Sequence, residues 1–464
     1  MATRNRWLHW LLTHERIGYL GGTTTPRDAR RVFTRWRRGE SILAGPYLRA
    51  FERALSDYYE GAEAICFGGA RMACYAILKA LGLSAGDEVI LPGYNCVVVP
   101  NAILRLGVRP VYVDVSLRDC NAVPDLVERA LTPRTKAIIV QHTFGIAADM
   151  DAFLAIGRRY GLPIIEDGAH AIGARCDGRL LGLFGLAAFF STQETKMMDT
   201  CNGGFVVTTD RQLASAVRRV QEEAAHLPEE EARDCVLRWC YNAAVASHPR
   251  LSARLLPLTL LALRAPVPML TRLLTVGTQR YASELASEFY EPYPLRLPDL
   301  LAYAGLLQLQ RIEEDVAHRR ALAAFLEAHL PALGARILDY DHMRVQPSWV
   351  RFPFIVPSRA PWLEATRRSA LTAGFWLSDP CHPEGTDWRR VQYCAGSCPN
   401  AEYLSKHILN VPVDRRVRLH HLRQWLKLCR ATLHTAAAHS CSAGDGDSST
   451  QDSGTNGLLE PPTA

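Results

Sequence analysis

The chain has 464 residues, 48% hydrophobic and 22% charged, with a mean hydropathy of −0.05, which excludes a mainly disordered or collagen-like protein. No run reaches the ~18 uninterrupted apolar residues of a spanning helix, so an integral membrane protein is not expected. The formal charge of +6 gathers at one end: residues 1–38 hold nine Arg against Glu15 and Asp28, and the last twenty residues are acidic.

The basicity therefore belongs to an N-terminal arm and not to a stripe across the fold, and no nucleic-acid partner is expected. The 13 Cys are odd in number and form no C-x-x-C pair. Several sit in apolar runs (Cys66, Cys74, Cys96), which predicts reduced thiols in the cytoplasm, with no metal site and no disulfide framework. The opening segment, Met1 to His14, is too short in apolar run and too interrupted by His for a signal peptide.

From Tyr59 onward helical periods alternate with short β-branched runs. Residues 70–82 read as a helix ended by Gly82. The runs 88–91, 108–115, 137–141 and 162–166 read as buried parallel strands, separated by helices such as 124–130 and 149–160. This predicts an α/β fold, a parallel sheet covered by helices, with ligands beyond the C-terminal ends of the strands. The expected organisation is a basic arm over 1–38, a large domain over 39–235, an apolar helical insert over 236–290, a connecting long helix within 291–346, a small α+β domain over 347–435 and a disordered tail over 440–464.

Residues 251–275 are the most apolar stretch, broken by Pro257, Pro266 and Pro268 and edged by Arg254, Arg264 and Arg272. Two readings stand: short helices packed on the body or a dimer partner, or a peripheral membrane contact lying in the headgroup region, aided by the basic arm with Trp7, Trp10 and Trp36.

Three pieces carry chemistry. The strand LPIIE delivers Asp167, and the next strand, AAFFS, delivers Ser191, followed by Lys196. An acid at one strand end and a lysine after its neighbour suit a pyridoxal-phosphate enzyme: the lysine joins the cofactor aldehyde as a Schiff base, and the carboxylate keeps the ring nitrogen protonated. CFGGARMA (66–73) offers a phosphate cradle, with Gly68 and Gly69 before a helix whose free N–H groups face an anion. Each piece also has a plain reading, as a surface lysine, a helix cap and a turn.

The blocks GDEVILPGYN, VRPVYVDV, LTPRTKAIIVQHTFGIAADMD, LPIIEDGAHAIGA, FFSTQETK with NGGFVVTTD, RLPDLLAYAGLLQLQRI and CPNAEYLSKHILNVP resemble, in order, the DegT/DnrJ/StrS family of sugar aminotransferases. The resemblance covers residues 39–210 and 290–425. It implies the aspartate-aminotransferase-like fold type I, with a mostly parallel seven-stranded sheet and a smaller C-terminal α+β domain. It also implies pyridoxal 5′-phosphate as cofactor and a homodimer with sites at the subunit interface.

By the same resemblance Lys196 is the cofactor-bonding lysine, Asp167 the partner of the ring nitrogen and His170 the neighbour of the ring 3-hydroxyl. Ser191 binds the phosphate, together with backbone N–H groups of Gly69, Ala70 and Arg71. Three positions depart from the family pattern. Ala70 stands where many members have Thr, and Arg71 either turns inward to replace that hydroxyl or lies solvated. Cys96 stands where members have the aromatic that stacks on the cofactor, so that stacking is either lost or supplied by Tyr94. Pro294 stands where members place an asparagine across the dimer, ahead of Arg296.

Lys196 rather than His separates aminotransferases from the dehydrating relatives. The expected reaction moves nitrogen from an amino acid, with L-glutamate the expected donor, to a keto-sugar attached to a nucleotide, in polysaccharide or glycoside synthesis. A cyclitol or other ketone as acceptor, and a catalytically decayed regulatory or membrane-recruited relative, are the alternatives.

Overall fold

The computed structural model describes residues 15–250 and 291–444. Its centre is a seven-stranded sheet of β1 (Glu63–Phe67), β2 (Glu88–Pro92), β3 (Arg109–Val113), β4 (Thr135–Gln141), β5 (Ile164–Asp167), β6 (Ala187–Gln193) and β7 (Asn202–Thr208), in the order β1-β7-β6-β5-β4-β2-β3. Only β7 runs against the others. Strands buried on both faces need apolar side chains at successive positions, and the sequence supplies them. Ile139, Ile165 and Phe189 point into one core, while Ile138, Val140 and Ile164 pack in another on the opposite face. This alternation is the two-residue period of a pleated strand.

Helix α1 (Pro26–Arg37) starts in a capping box, in which the Thr25 hydroxyl accepts from the Asp28 N–H and the Asp28 carboxylate from the Thr25 N–H. Helix α2 (Ala70–Ala80) follows β1 directly, and α3 (Glu229–Tyr241) packs beside α1. After these come α4 (Asp299–Leu309) and α5 (Ile312–His329). The C-terminal part holds a three-stranded antiparallel sheet of β8 (Arg336–Ile337), β9 (Phe352–Ile355) and β10 (Ile408–Val411), followed by α6 (Leu419–Gly444). A separate two-stranded parallel ladder, in which Asn95 and Cys96 pair with Cys381 and His382, links the C-terminal part to the segment just after β2.

Several expected boundaries move. Most of the basic arm from Arg16 on is part of the fold: Ile17 bridges Leu371, and α1 lies against α3 and α4. The single connecting helix is two helices, because the chain leaves helical geometry at Arg311 (φ −126°). There the guanidinium turns to Asp28 Oδ2 at 2.6 Å and the Thr23 carbonyl at 2.7 Å. The boundary placed at 235/236 falls inside α3, whose Trp239 is fully buried. Helix α6 continues past Ser440 to Gly444. Residues 251–275, Trp7 and Trp10 lie outside the described residues, as do residues 445–464. Among the described residues no helix is long and apolar enough to cross a membrane.

Candidate active site

Chemistry collects at the C-terminal edge of the sheet. Asp167 is the last residue of β5 and Ser191 sits in β6. Lys196 is carried by the hairpin joining β6 to β7, whose register places Ser191 opposite Gly204 and Gln193 opposite Asn202. That hairpin is closely bonded. Lys196 N–H donates to the Gln193 carbonyl at 2.8 Å, Glu194 N–H to the Cys201 carbonyl at 3.0 Å, and Thr200 N–H to the Thr192 carbonyl at 2.8 Å. The Arg238 guanidinium of α3 clasps the Glu194 carboxylate with contacts of 3.0 and 2.5 Å. A lysine on so constrained a turn is held in place, unlike a surface lysine.

Lys196, Asp167, His170, Ser191, Gly69, Ala70, Arg71 and Cys96 all line one cavity of about 570 Å³, well within the range of small-molecule sites. Helix α2 opens onto it with Gly69 at its N-cap and no side-chain hydrogen bond there, so the first-turn N–H groups are left for an anion. Strand β7 passes close against this turn. A Cβ on Gly204 would lie 2.3 Å from the Ala70 nitrogen, which makes glycine a steric requirement. Ser191 Oγ accepts from the Gln193 N–H at 3.3 Å, leaving its O–H to donate.

Burial sets the charges. Asp167, 2% exposed, has its carboxyl pushed up by desolvation, opposed by the Ala169 N–H and the charge of Lys196. Desolvation likewise pulls Lys196 below the ordinary lysine range, with Cys96 and Asp167 acting the other way. An amine deprived of water and an acid lacking a full counter-charge both gain from a cationic ring that carries an aldehyde. His170 Nδ1 accepts from the Phe144 N–H at 3.2 Å, which assigns the proton to Nε2. Burial, with nearby Lys196 and Arg351, keeps this ring neutral by lowering its pKa far below the usual value.

The strand end itself is anchored from behind. His142 donates its N–H to the Asp167 carbonyl at 3.1 Å, and its Nε2 meets Glu166 Oε2 at 2.9 Å. Glu166 also accepts N–H groups of Gly182, Phe184 and Gly185 at 2.6 to 2.8 Å. A fully buried carboxylate with this many donors fixes β5 and hence the position of Asp167.

A model of the DegT/DnrJ/EryC1/StrS aminotransferase family matches residues 25–236 and 270–425. The chain belongs to this family. It is a pyridoxal-phosphate-dependent aminotransferase, and its seven-stranded α/β domain is that of fold type I. A DegT DnrJ EryC1 StrS aminotransferase from Brucella abortus superposes with a TM-score of 0.67 at 20% identity, covering 87% of this chain and 95% of its own. The putative sugar aminotransferase Spr1654 from Streptococcus pneumoniae, in its PMP form, gives 0.68 at 18%, covering 92% and 100%. DesV of S. venezuelae, in complex with a ketimine intermediate, gives 0.67 at 24%, covering 88% and 94%. At such identities the likeness concerns the fold.

Within this aminotransferase one expected contact is wrong. Tyr94 does not line the cavity: its ring is fully buried and its hydroxyl donates to the Leu377 carbonyl at 2.9 Å. A buried phenol takes the acceptor available to it, and here that acceptor lies in the C-terminal part. The aromatic beside the lysine is Trp376, whose ring centroid is 4.2 Å from Lys196 Nζ and 4.5 Å from that of His170. Tyr19, Arg351 and His382 complete this wall. Sequence reading missed all four, and the one local signal was a charged residue, Arg351, in the apolar run WVRFPFIV.

Proposed function

We propose that this aminotransferase moves an amino group from an amino acid, with L-glutamate the expected donor, to a keto-sugar, nucleotide-linked and destined for polysaccharide or glycoside synthesis. The observation that carries the reading is the convergence of the Lys196 amine, the Asp167 carboxylate and the His170 ring in one buried cavity with room beside them for a second molecule. When bound, pyridoxal phosphate supplies an aldehyde that takes up nitrogen and a ring that accepts electrons.

The chain's own residues do the rest. Lys196 Nζ, held by the hairpin and made less basic by burial, would hold the cofactor at its aldehyde and move a proton at the substrate carbon. Asp167 would hold the ring nitrogen protonated. His170 offers Nε2–H to the ring hydroxyl. Ser191 Oγ and the N–H groups of Ala70 and Arg71 meet the phosphate. The Arg71 side chain lines the cavity and folds back over the turn, 3.5 Å from where a Cβ of Gly69 would be, which supports its standing in for the hydroxyl absent at Ala70. A homodimer is the expected assembly.

Borohydride reduction of the purified yellow protein, followed by peptide mapping, tests the assignment. The pyridoxyl group is expected on the Lys196 peptide, and a label on another lysine, or none with cofactor in excess, rejects it. A panel of nucleotide-linked and free ketosugars with L-glutamate then tests the acceptor class.

A further inference from the structure

Helix α1 buries one face and leaves the other without counter-charge. Asp28, Ala29 and Val32 point into the body, where the helix lies against α3 and α4. Arg27, Arg30, Arg31, Arg37 and the C-cap residue Arg38 are exposed. Helical periodicity gathers these arginines within about a third of the circumference and along about 16 Å of the axis. Among the described residues none of them pairs with a carboxylate. The acids nearest in sequence are engaged elsewhere. Asp28 accepts from the Thr25 N–H and pairs with Arg311 at 2.6 Å, while Glu40 pairs with Arg35 at 3.1 Å and accepts from the Tyr47 hydroxyl at 2.8 Å.

This arrangement works against the helix that carries it. Arg27 stands three and four residues from Arg30 and Arg31, the spacings at which like charges on a helix repel. It also lies in the first turn, where the helix end is itself positive. An anionic layer outside the protein relieves both penalties. Phe33 narrows the kind of layer. It is 40% exposed beside the arginines, while Trp36, which meets it edge-on at 5.6 Å, is partly buried against the body. A soluble polyanion satisfies the arginines but gives Phe33 no apolar region to enter. A plane of charged headgroups with acyl chains beneath it suits both.

We propose that α1 rests on an anionic phospholipid surface, with its arginines among the headgroups and Phe33 at the acyl boundary. None of these arginines lines the cavity that holds Lys196, so the contact places the protein at a membrane without drawing on the reaction site. Exposed charges are screened by salt, which makes the attachment reversible.

The test is sedimentation of the full chain, loaded with cofactor, with vesicles of phosphatidylcholine alone or mixed with phosphatidylserine. The wild type is expected to bind the mixed vesicles at low salt, to bind phosphatidylcholine at least tenfold more weakly, and to be released as salt is raised. A variant with Arg27, Arg30, Arg31, Arg37 and Arg38 all changed to Gln is expected to bind the mixed vesicles at least tenfold more weakly. Its melting temperature is expected to be no lower than that of the wild type, and its cofactor absorbance the same. Phe33→Ser is expected to weaken binding severalfold and to leave its salt dependence unchanged.

No binding of the wild type to mixed vesicles, equal binding to both kinds, or equal binding by wild type and the Gln variant overturns the proposal. A changed oligomeric state in the Gln variant, read by sedimentation velocity, also overturns it and gives the face to a second copy of this chain. Binding that appears only after removal of residues 445–464 overturns it in favour of the chain's own acidic end.

Discussion

Three residues beyond Lys196, Asp199 shows how far the constraint on this hairpin goes. It is 1% exposed, its Oδ1 accepts the Cys201 N–H at 2.7 Å, and among the described residues its Oδ2 has no hydrogen-bond partner. Desolvation, with the charge of Glu194 adding to it, pushes this carboxyl up to about 8. An unfolded aspartate titrates near ~4. Because the folded pKa is the higher, stability is fully present below the unfolded value and is lost as pH rises through about 8. Asp199→Asn keeps the acceptor for Cys201 and removes the charge. Its melting temperature is expected to fall less than that of the wild type between pH 5 and pH 9. Parallel curves for the two proteins would show that the carboxyl is solvated.

The close pass of β7 over the start of α2 makes Gly204 the most sensitive position of the cradle. A methyl group there meets the Ala70 nitrogen at 2.3 Å and the Phe190 carbonyl at 2.6 Å, both backbone atoms, one of α2 and one of β6, that move only with their elements. Gly204→Ala is expected to cost about 1–3 kcal/mol of stability and to weaken cofactor retention at least tenfold, read by equilibrium dialysis. Normal retention would mean that the turn tolerates displacement. The cradle was legible in sequence, since Gly68, Gly69 and the helix after them are contiguous and each strand is a continuous apolar run bounded by turn residues. Asp167, Ser191 and Lys196 were legible for the same reason: each lies within a few residues of a strand end. Tyr94 misled because its neighbour Cys96 does reach the cavity, while the phenol is drawn to Leu377, a contact set by tertiary packing alone. Tyr19, Arg351, Trp376 and His382 come from segments remote in sequence from Lys196 and brought to it by tertiary contacts, among them the pairing of Cys381 and His382 with Asn95 and Cys96, and no local pattern records such a pairing.

Across the whole molecule, Arg416 ties together pieces remote in sequence. It pairs with Asp414, donates to the Gly18 carbonyl at 2.6 Å and the Ala246 carbonyl at 2.9 Å, and also reaches the Leu20 carbonyl. These bonds fix the segment from which Tyr19 enters the cavity, where Gly374 makes room for its hydroxyl. Arg416→Met leaves Asp414 buried beside fewer cations and is expected to destabilise the fold by about 3–5 kcal/mol, seen as a lower denaturant midpoint. A midpoint unchanged within error would show that the clamp is replaceable by water. The same wall bears on the order in which the protein matures during synthesis. Chains emerge from the N-terminus and their domains tend to fold as units. The groups assigned to the cofactor, Gly69 through Lys196, therefore leave the ribosome long before Arg351, Trp376 and His382. A nascent large domain has its cradle before the facing wall exists, and Tyr19, made long before that wall, waits for it before it can meet Arg351.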